Sequence, residues 1–433
     1  MNETHHPGLR SWVEAANAPG VDFPIQNLPL GVFRRRGSEA AHIGVAIGDQ
    51  ILDLAACRER GTLRELPETV QQACGEPILN RLAALGPSEN RELRRRVSDL
   101  LRAGSPPLPD LLVAMRDAEM LMPLSIGGYT DFYASVFHAT NVGRLFRPDA
   151  PLLPNYKYVP IAYHGRTSSI VVSGTPVRRP WGQLKNAAEA APLFAPSRRL
   201  DYETEVATVI GTGNAPGQPI EIDDAERRVF GLCLLNDWSA RDIQAWEYQP
   251  LGPFLGKNFA TSVSPWIVTI EALAPFRCPA FARSAGDPAP LPHLTSPDDQ
   301  RNGGFDITVE ALLQSVEMRR QGLPPVRLGR GSFTDLYWTI AQMVTHHASN
   351  GCNLQTGDLL ASGTISGTAD GSRGCLLEIT GGSHPVGLPT GEERLFLADG
   401  DELTLQAFCE RPGSVRIGFG ACVGVVLPAN PRL

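Results

Sequence analysis

The sequence predicts a mainly β fold with some α, in two parts that meet near residue 118. Three observations support this. The chain has 433 residues, enough for two or three units of ordinary domain size. Short apolar runs of strand length recur through its larger, later part, punctuated by turn residues, and the chain carries 43 Gly and 37 Pro. Segment 104–109 holds three prolines and reads as a linker. The expected domains are residues 1–118 and 119–433.

The elements follow in chain order. Segment 42–51, HIGVAIGDQI, gives two β-rich pieces around Gly48-Asp49, a hairpin signal. Segments 78–85 and 91–101 carry helical periodicity. Further strands are expected at 169–172, 205–210, 229–235, 266–270, 376–379 and 403–407. Their close spacing favours a sandwich, roll or barrel. A helix is expected over 333–349, with Leu336, Ile340, Met343, Val344 and His347 at helical spacing and a stop at Asn350-Gly351. Segments 187–196 and 283–297 read as loops, and no internal repeat is present.

Composition narrows the function classes. The net charge is -7, and the densest basic runs are the triplets Arg34-Arg35-Arg36 and Arg94-Arg95-Arg96. Such short runs do not make a nucleic-acid surface, so an anionic substrate would need local arginines. Eight cysteines are scattered without a C-x-x-C pair, which suits free thiols in a reducing compartment. The first twenty residues are polar, and no apolar run is long enough to span a bilayer. A cytoplasmic protein without nucleic-acid or membrane partners is expected.

Several acidic residues stand where apolar ones would be expected. In Leu200-Asp201-Tyr202-Glu203-Thr204-Glu205-Val206-Ala207, a strand period of two puts Glu203 and Glu205 on one face. The run continues apolar on both faces, as buried strands do. Two buried carboxylates must neutralise, pair with cations or bind a metal. Asp237 follows the apolar run from Val229 to Leu235. Asp131 and His138 are seven residues apart, so one helix would align them approximately on one face. Simpler explanations exist for each alone. Glu203 and Glu205 could lie at a solvated strand end, Asp237 could cap a helix over 238–246, and Asp131 could cap a first turn with His138 packed behind it. Together they supply oxygen ligands without a cysteine or a histidine pair, a set suited to Ca²⁺ or Mg²⁺. His346-His347 is not read as a metal pair, because adjacent helix positions face apart.

The runs YTDFYASVFHATNVG, YHGRTSSIVVSGTPVRRPWGQ, DYETEVA, LLNDWSARDIQAWEYQPLGPFLGKNF, THHASNGCNLQTGDLLASGTISG and RIGFG resemble the fumarylacetoacetase family. FPIQNLPLGVF and HIGVAIGDQILDL near the N-terminus are similar to it as well. The likeness covers nearly the whole chain and is weakest over 276–332 and 369–373. It implies a small N-terminal SH3-like barrel, a larger C-terminal mixed β-sandwich roll, and a homodimer. It implies hydrolysis of 4-fumarylacetoacetate to fumarate and acetoacetate, the last step of tyrosine and phenylalanine catabolism.

Residue by residue, the resemblance assigns metal ligation to Asp131, Glu203, Glu205 and Asp237. A second magnesium site would involve Asp237, Lys257 and Thr261. His138 corresponds to the general base and Glu378 to its partner. Arg241, Gln244 and Lys257 correspond to the oxyanion donors. Tyr133, Arg147, Gln244, Tyr248 and Thr364 correspond to substrate contacts, and Tyr163 lies in the matching YHGR run. Phe137 stands where animal members are expected to carry a polar residue. Cleaving a carbon–carbon bond with water needs a base, fixed donors for the oxyanion, and a Lewis acid for the departing enolate, so each group has a task. The competing expectations are an acylpyruvate hydrolase, a β-keto-acid decarboxylase, and a non-enzymatic metal-stabilised dimeric scaffold.

Overall fold

In a computed structural model that describes residues 1–186 and 189–431, the chain folds around three sheets. Five antiparallel strands make the first: Leu30–Arg35, His42–Ile47, Gln50–Asp53, Leu112–Ala114 and Ala118–Leu121. The expected hairpin is present. Ile47 pairs with Gln50, and Gly48 turns the chain at φ 58°. The last strand pairs with Leu30–Arg35, so the first sheet ends across the expected boundary. Between its third and fourth strands lie four α-helices, the longest Pro87–Leu101.

A larger sheet follows, in the order Ala162–His164, Tyr129–Phe132, Leu359–Ala361, Thr204–Ile210, Val229–Asp237, Thr261–Val263, Ile170–Val172. Thr204–Ile210 and Val229–Asp237 are buried along their whole length. Their two faces serve different cores. Val206, Ile210, Leu232 and Leu234 join the main core with the third sheet, which is built on Thr308–Gln314, Glu402–Cys409 and Ile417–Leu427. Ala207, Val209, Cys233 and Leu235 join the core of the first unit. A bridge from Leu30 to Ile267 ties the two parts together.

Four local expectations are corrected. Residues Leu376–Thr380 form a helix, because the N–H groups of Leu376 and Leu377 donate to the Asp201 carboxylate at 2.8 and 2.9 Å. That distant carboxylate satisfies helix-start donors that no local cap supplies. The expected helix over 333–349 is shorter. A single turn covers Phe333–Asp335, and the α-helix Ile340–Ala348 begins at a capping box of Thr339 and Gln342, a spacing legible in the sequence. Leu193–Pro196, expected as loop, pairs with Trp181–Leu184; Ala187 and Ala188 of that segment lie outside the described residues. Asp131 and His138 share no helix. Asp131 sits on a strand and His138 in the helix Val136–Phe146.

All eight cysteines are free, and burial pushes the Cys57, Cys74 and Cys233 thiols up to about 12. Among the described residues no helix is long and apolar enough to cross a membrane.

Candidate active site

Strand register gathers the carboxylates. Glu205 stands opposite Leu235, and Ala207 opposite Cys233. Opposite residues share a face, as do alternate residues of one strand, so Glu205 and Asp237 point the same way. Ala207 pairs with Ala361, and Ala361 with Asp131, which brings Asp131 onto that face. Glu203 precedes the strand, its N–H held by Asn236 Oδ1 at 3.1 Å. Ligand atoms of Asp131, Glu203, Glu205 and Asp237 lie within 4.8 Å of one another. All four side chains are buried. Glu203 and Glu205 are therefore not at a solvated strand end. Asp237 caps no helix either, since the next one starts at Arg241 after Ala240.

Two cations face the cluster. Lys257 Nζ donates to Asp237 Oδ2 at 2.5 Å and to Glu203 Oε2. Arg241 bridges Glu203 Oε1 at 2.8 Å and Asp201 Oδ2 at 2.9 Å. Gly256 makes this possible, because a Cβ there would lie 2.9 Å from the Gln244 nitrogen. The Lys257 loop thereby passes close under the Arg241 helix. As an ammonium, Lys257 has no lone pair for a metal; only its carbonyl could ligate one.

Burial pushes the Asp131 and Glu205 carboxyls well above the usual range, and their acidic neighbours add to it. Burial acts on Glu203 too, but Lys257 and Arg241 outweigh it and hold Glu203 below the usual range. Lys257 is raised despite its burial, by Asp237 and Glu203. Asp131 Oδ1, Glu205 Oε1 and Asp237 Oδ1 are buried without a hydrogen-bond partner among the described residues. Unpaired buried carboxylate oxygens are costly. Converging oxygens with surplus negative charge fit a hard divalent cation.

His138 lies beside the cluster. Ser135 caps its helix, accepting from the His138 N–H at 3.1 Å. Nδ1 lies 2.6 Å from Glu378 Oε2, and Nε2 faces Glu203 Oε1 at 3.8 Å. His138, its hydrogen bond to Glu378, and donors from Asn141 and Ser366 hold the buried Glu378 carboxyl down to about 2. It is therefore ionised near neutral pH and accepts the Nδ1 proton. In a neutral imidazole bonded this way, Nε2 carries the lone pair.

A cavity of about 410 Å³ opens over these groups. Its wall includes Tyr133, Arg147, Tyr163, Gln244, Tyr248 and Thr364, so every residue expected to touch substrate faces it. His138, Arg241 and Lys257 line it as well, whereas Asp237, Thr261 and Glu378 stand behind the wall. Gly363 is needed here: its φ is 75°, and a Cβ would meet the Phe132 carbonyl at 2.2 Å. Thr261 pairs with Asp237 across the sheet. The Tyr163 hydroxyl donates to Asp237 Oδ2 at 2.8 Å, so this tyrosine also supports the carboxylate cluster. Phe137 packs against Phe281 at 6.0 Å between ring centroids.

Sequence reasoning passed over three residues. Asp201 joins Arg241 to the 376–380 helix. Asn141 and Ser366 donate to Glu378. All three stood inside quoted runs, DYETEVA, HATNVG and GTISG, and spacing alone carried no further signal.

A strand-rich scaffold that sets buried carboxylates, a histidine–carboxylate pair and spare cationic donors around one cavity defines a class of hydrolytic site able to hold a hard cation. Comparison with known proteins places the chain within that class. Residues 128–427 match the fumarylacetoacetate hydrolase C-terminal family and residues 26–123 the fumarylacetoacetase N-terminal family. The chain is 46% identical to fumarylacetoacetase of Oryza sativa subsp. japonica over 442 aligned positions, covering 100% of both chains. It is 46% identical to that of Homo sapiens, covering 95% of this chain and 98% of the relative. A solved fumarylacetoacetate hydrolase from psychrophilic Exiguobacterium antarcticum shares the fold, with a TM-score of 0.51 at 18% identity over 93% of this chain and 99% of that one. The protein belongs to the fumarylacetoacetate hydrolase family.

Proposed function

We propose that the protein hydrolyses 4-fumarylacetoacetate to fumarate and acetoacetate, the closing step of tyrosine and phenylalanine breakdown. The observation that carries the reading is the His138–Glu378 pair beside the carboxylate cluster on one cavity. The 46% identity to fumarylacetoacetases over the full chain supports the choice of substrate.

His138 Nε2 takes a proton from water as the oxygen attacks the scissile carbonyl carbon. Glu378 holds the ring and stabilises the imidazolium, the role of the aspartate in a serine-protease triad. The oxyanion meets three donors that still have N–H groups to give. Arg241 Nη2 has no hydrogen-bond partner among the described residues. Lys257 uses two of its three N–H bonds on carboxylates. Gln244 accepts from Arg241 through Oε1 at 3.3 Å, which leaves its amide N–H groups. As the carbon–carbon bond breaks, its electron pair leaves with the acetoacetate carbon, which takes the proton back from His138. Water's oxygen and remaining proton stay on fumarate.

Asp131, Glu203, Glu205 and Asp237 would hold the divalent ion, Ca²⁺ or Mg²⁺, and a second magnesium would involve Asp237, Lys257 through its carbonyl, and Thr261. When bound, the ion supplies Lewis-acid stabilisation to the dicarbonyl oxygens. A small N-terminal SH3-like unit beside a larger catalytic one is supported by the five-stranded first sheet, whose last strand carries the smaller unit from the expected 118 to Leu121. A homodimer is supported by apolar side chains beside the cavity mouth: Leu251 is 96% and Phe254 65% exposed. Sedimentation as a dimer would test that assembly. A cytosolic location is supported by the eight unpaired cysteines.

The deciding experiment incubates the protein and 4-fumarylacetoacetate with Mg²⁺ or Ca²⁺ and follows loss of the diketone chromophore with recovery of both acids. Loss of carbon dioxide without diketone cleavage would exclude this activity.

A further inference from the structure

Glu378 is a buried anion whose two oxygens are held unequally. Oε2 accepts from His138 Nδ1 at 2.6 Å, from Ser366 Oγ at 2.7 Å and from Cys375 Sγ at 3.4 Å. Oε1 accepts from Asn141 Nδ2 at 2.9 Å, and among the described residues this is its one hydrogen bond. The nearby Arg373 serves the Glu378 backbone carbonyl at 2.8 Å instead. Asn141 lies three residues after His138 on the same helix. Positions i and i+3 share a helix face, so one helix holds both the base and the clamp on the base's partner. A carboxylate fixed through one oxygen turns about its terminal bond; fixed through both, its plane is set. The second hold also supplies a partner to an oxygen that burial would otherwise leave unpaired.

We propose that Asn141 is a positioning residue for the reaction: its amide fixes the plane of the Glu378 carboxylate, which in turn fixes the imidazole of His138. Ser366 assists from the other side. Its carbonyl also accepts from Ser135 Oγ at 2.8 Å, and Ser135 caps the His138 N–H. The 362–367 loop therefore touches the dyad at both ends, while its Gly363 N–H donates to Glu205 Oε2 at 3.2 Å. This proposal rests on His138 as the base.

The test is a double-mutant cycle on the full-length protein with Mg²⁺ and 4-fumarylacetoacetate. Asn141→Ala is expected to lower kcat roughly 10–100-fold, with KM within about twofold, because Asn141 touches no substrate. Asn141→Ser, a milder change that puts a shorter hydroxyl donor in place of the amide, should fall between. In a Glu378→Gln background, Asn141→Ala should add almost nothing, since both changes break one chain of contacts. Nitrogen-15 NMR of His138 gives a second readout: its downfield Nδ1 proton should shift or broaden in Asn141→Ala, in a protein that still unfolds cooperatively although it is destabilised by the loss of one buried hydrogen bond. Unchanged kcat in both Asn141 variants would overturn the proposal, as would losses that multiply in the Glu378→Gln background. If instead His138→Ala keeps its turnover, the assignment of the base fails, which is a separate outcome.

Discussion

Metal binding by this protein should release protons, and the affinity should rise steeply with pH. Asp131 and Glu205 are buried among other acids, which pushes both carboxyls well above the usual range. A raised carboxyl holds its proton to higher pH than an ordinary one, and a hard cation needs the ionised form, so the ion displaces a proton that is still held. Each proton released makes binding tighter by about 1.4 kcal/mol, tenfold, per pH unit below the carboxyl's folded pKa. Two protons would give about 100-fold per unit. Stability of the metal-free protein has the matching sign. A raised folded pKa means stability that is complete below the unfolded value near 4.5 or 3.8 and is lost as pH rises through the folded one. Added Mg²⁺ or Ca²⁺ should cancel that loss. Titration calorimetry in buffers of different ionisation enthalpy counts the protons, and Glu205→Gln should release one fewer. A dissociation constant that stays flat as pH rises above the ordinary carboxylate range, with no proton released, would refute the reasoning.

Other expectations follow from the same geometry. His138→Ala should fold and bind the ion yet lose most turnover; kcat near wild type would remove it as the base. Lys257→Met leaves the Glu203 and Asp237 charges uncompensated, so the metal-free protein should lose about 3–5 kcal/mol in urea unfolding, with part restored by a divalent ion. Glu378→Gln should lower kcat by roughly 10²–10⁴. The same variant should flatten the acid side of the stability curve. Glu378, held down to about 2, contributes stability that is complete above about 4.5 and is lost as pH falls toward 2; identical acid-unfolding midpoints would contradict this.

Much of the site was legible as residue types. The runs around Asp131, Glu203 and Asp237 stood out because carboxylates interrupt apolar strands, and burial bore that out. Local rules also placed the 42–51 hairpin and the Thr204–Ile210 and Val229–Asp237 strands. They failed where a distant group decided the backbone. Leu376–Thr380 has strand-like composition, yet Asp201 lies 175 residues earlier and supplies the missing helix cap. The 333–349 periodicity overran the true start because the pattern was read through the Thr339–Gln342 cap.

By itself the sequence determined the alternation of strands and turns, the shortness of its basic runs, and the family likeness, since each is carried by neighbouring residues. It also held every group that the proposed chemistry uses. Only the tertiary structure decided which of them meet. Glu378 reaches His138 across 240 positions of chain, and Asp131 joins Glu205 through the register of an intervening strand. Hydrogen-bond register and burial act through space. They turn four separate acids into one charged cluster and place Lys257, Arg241 and His138 around it.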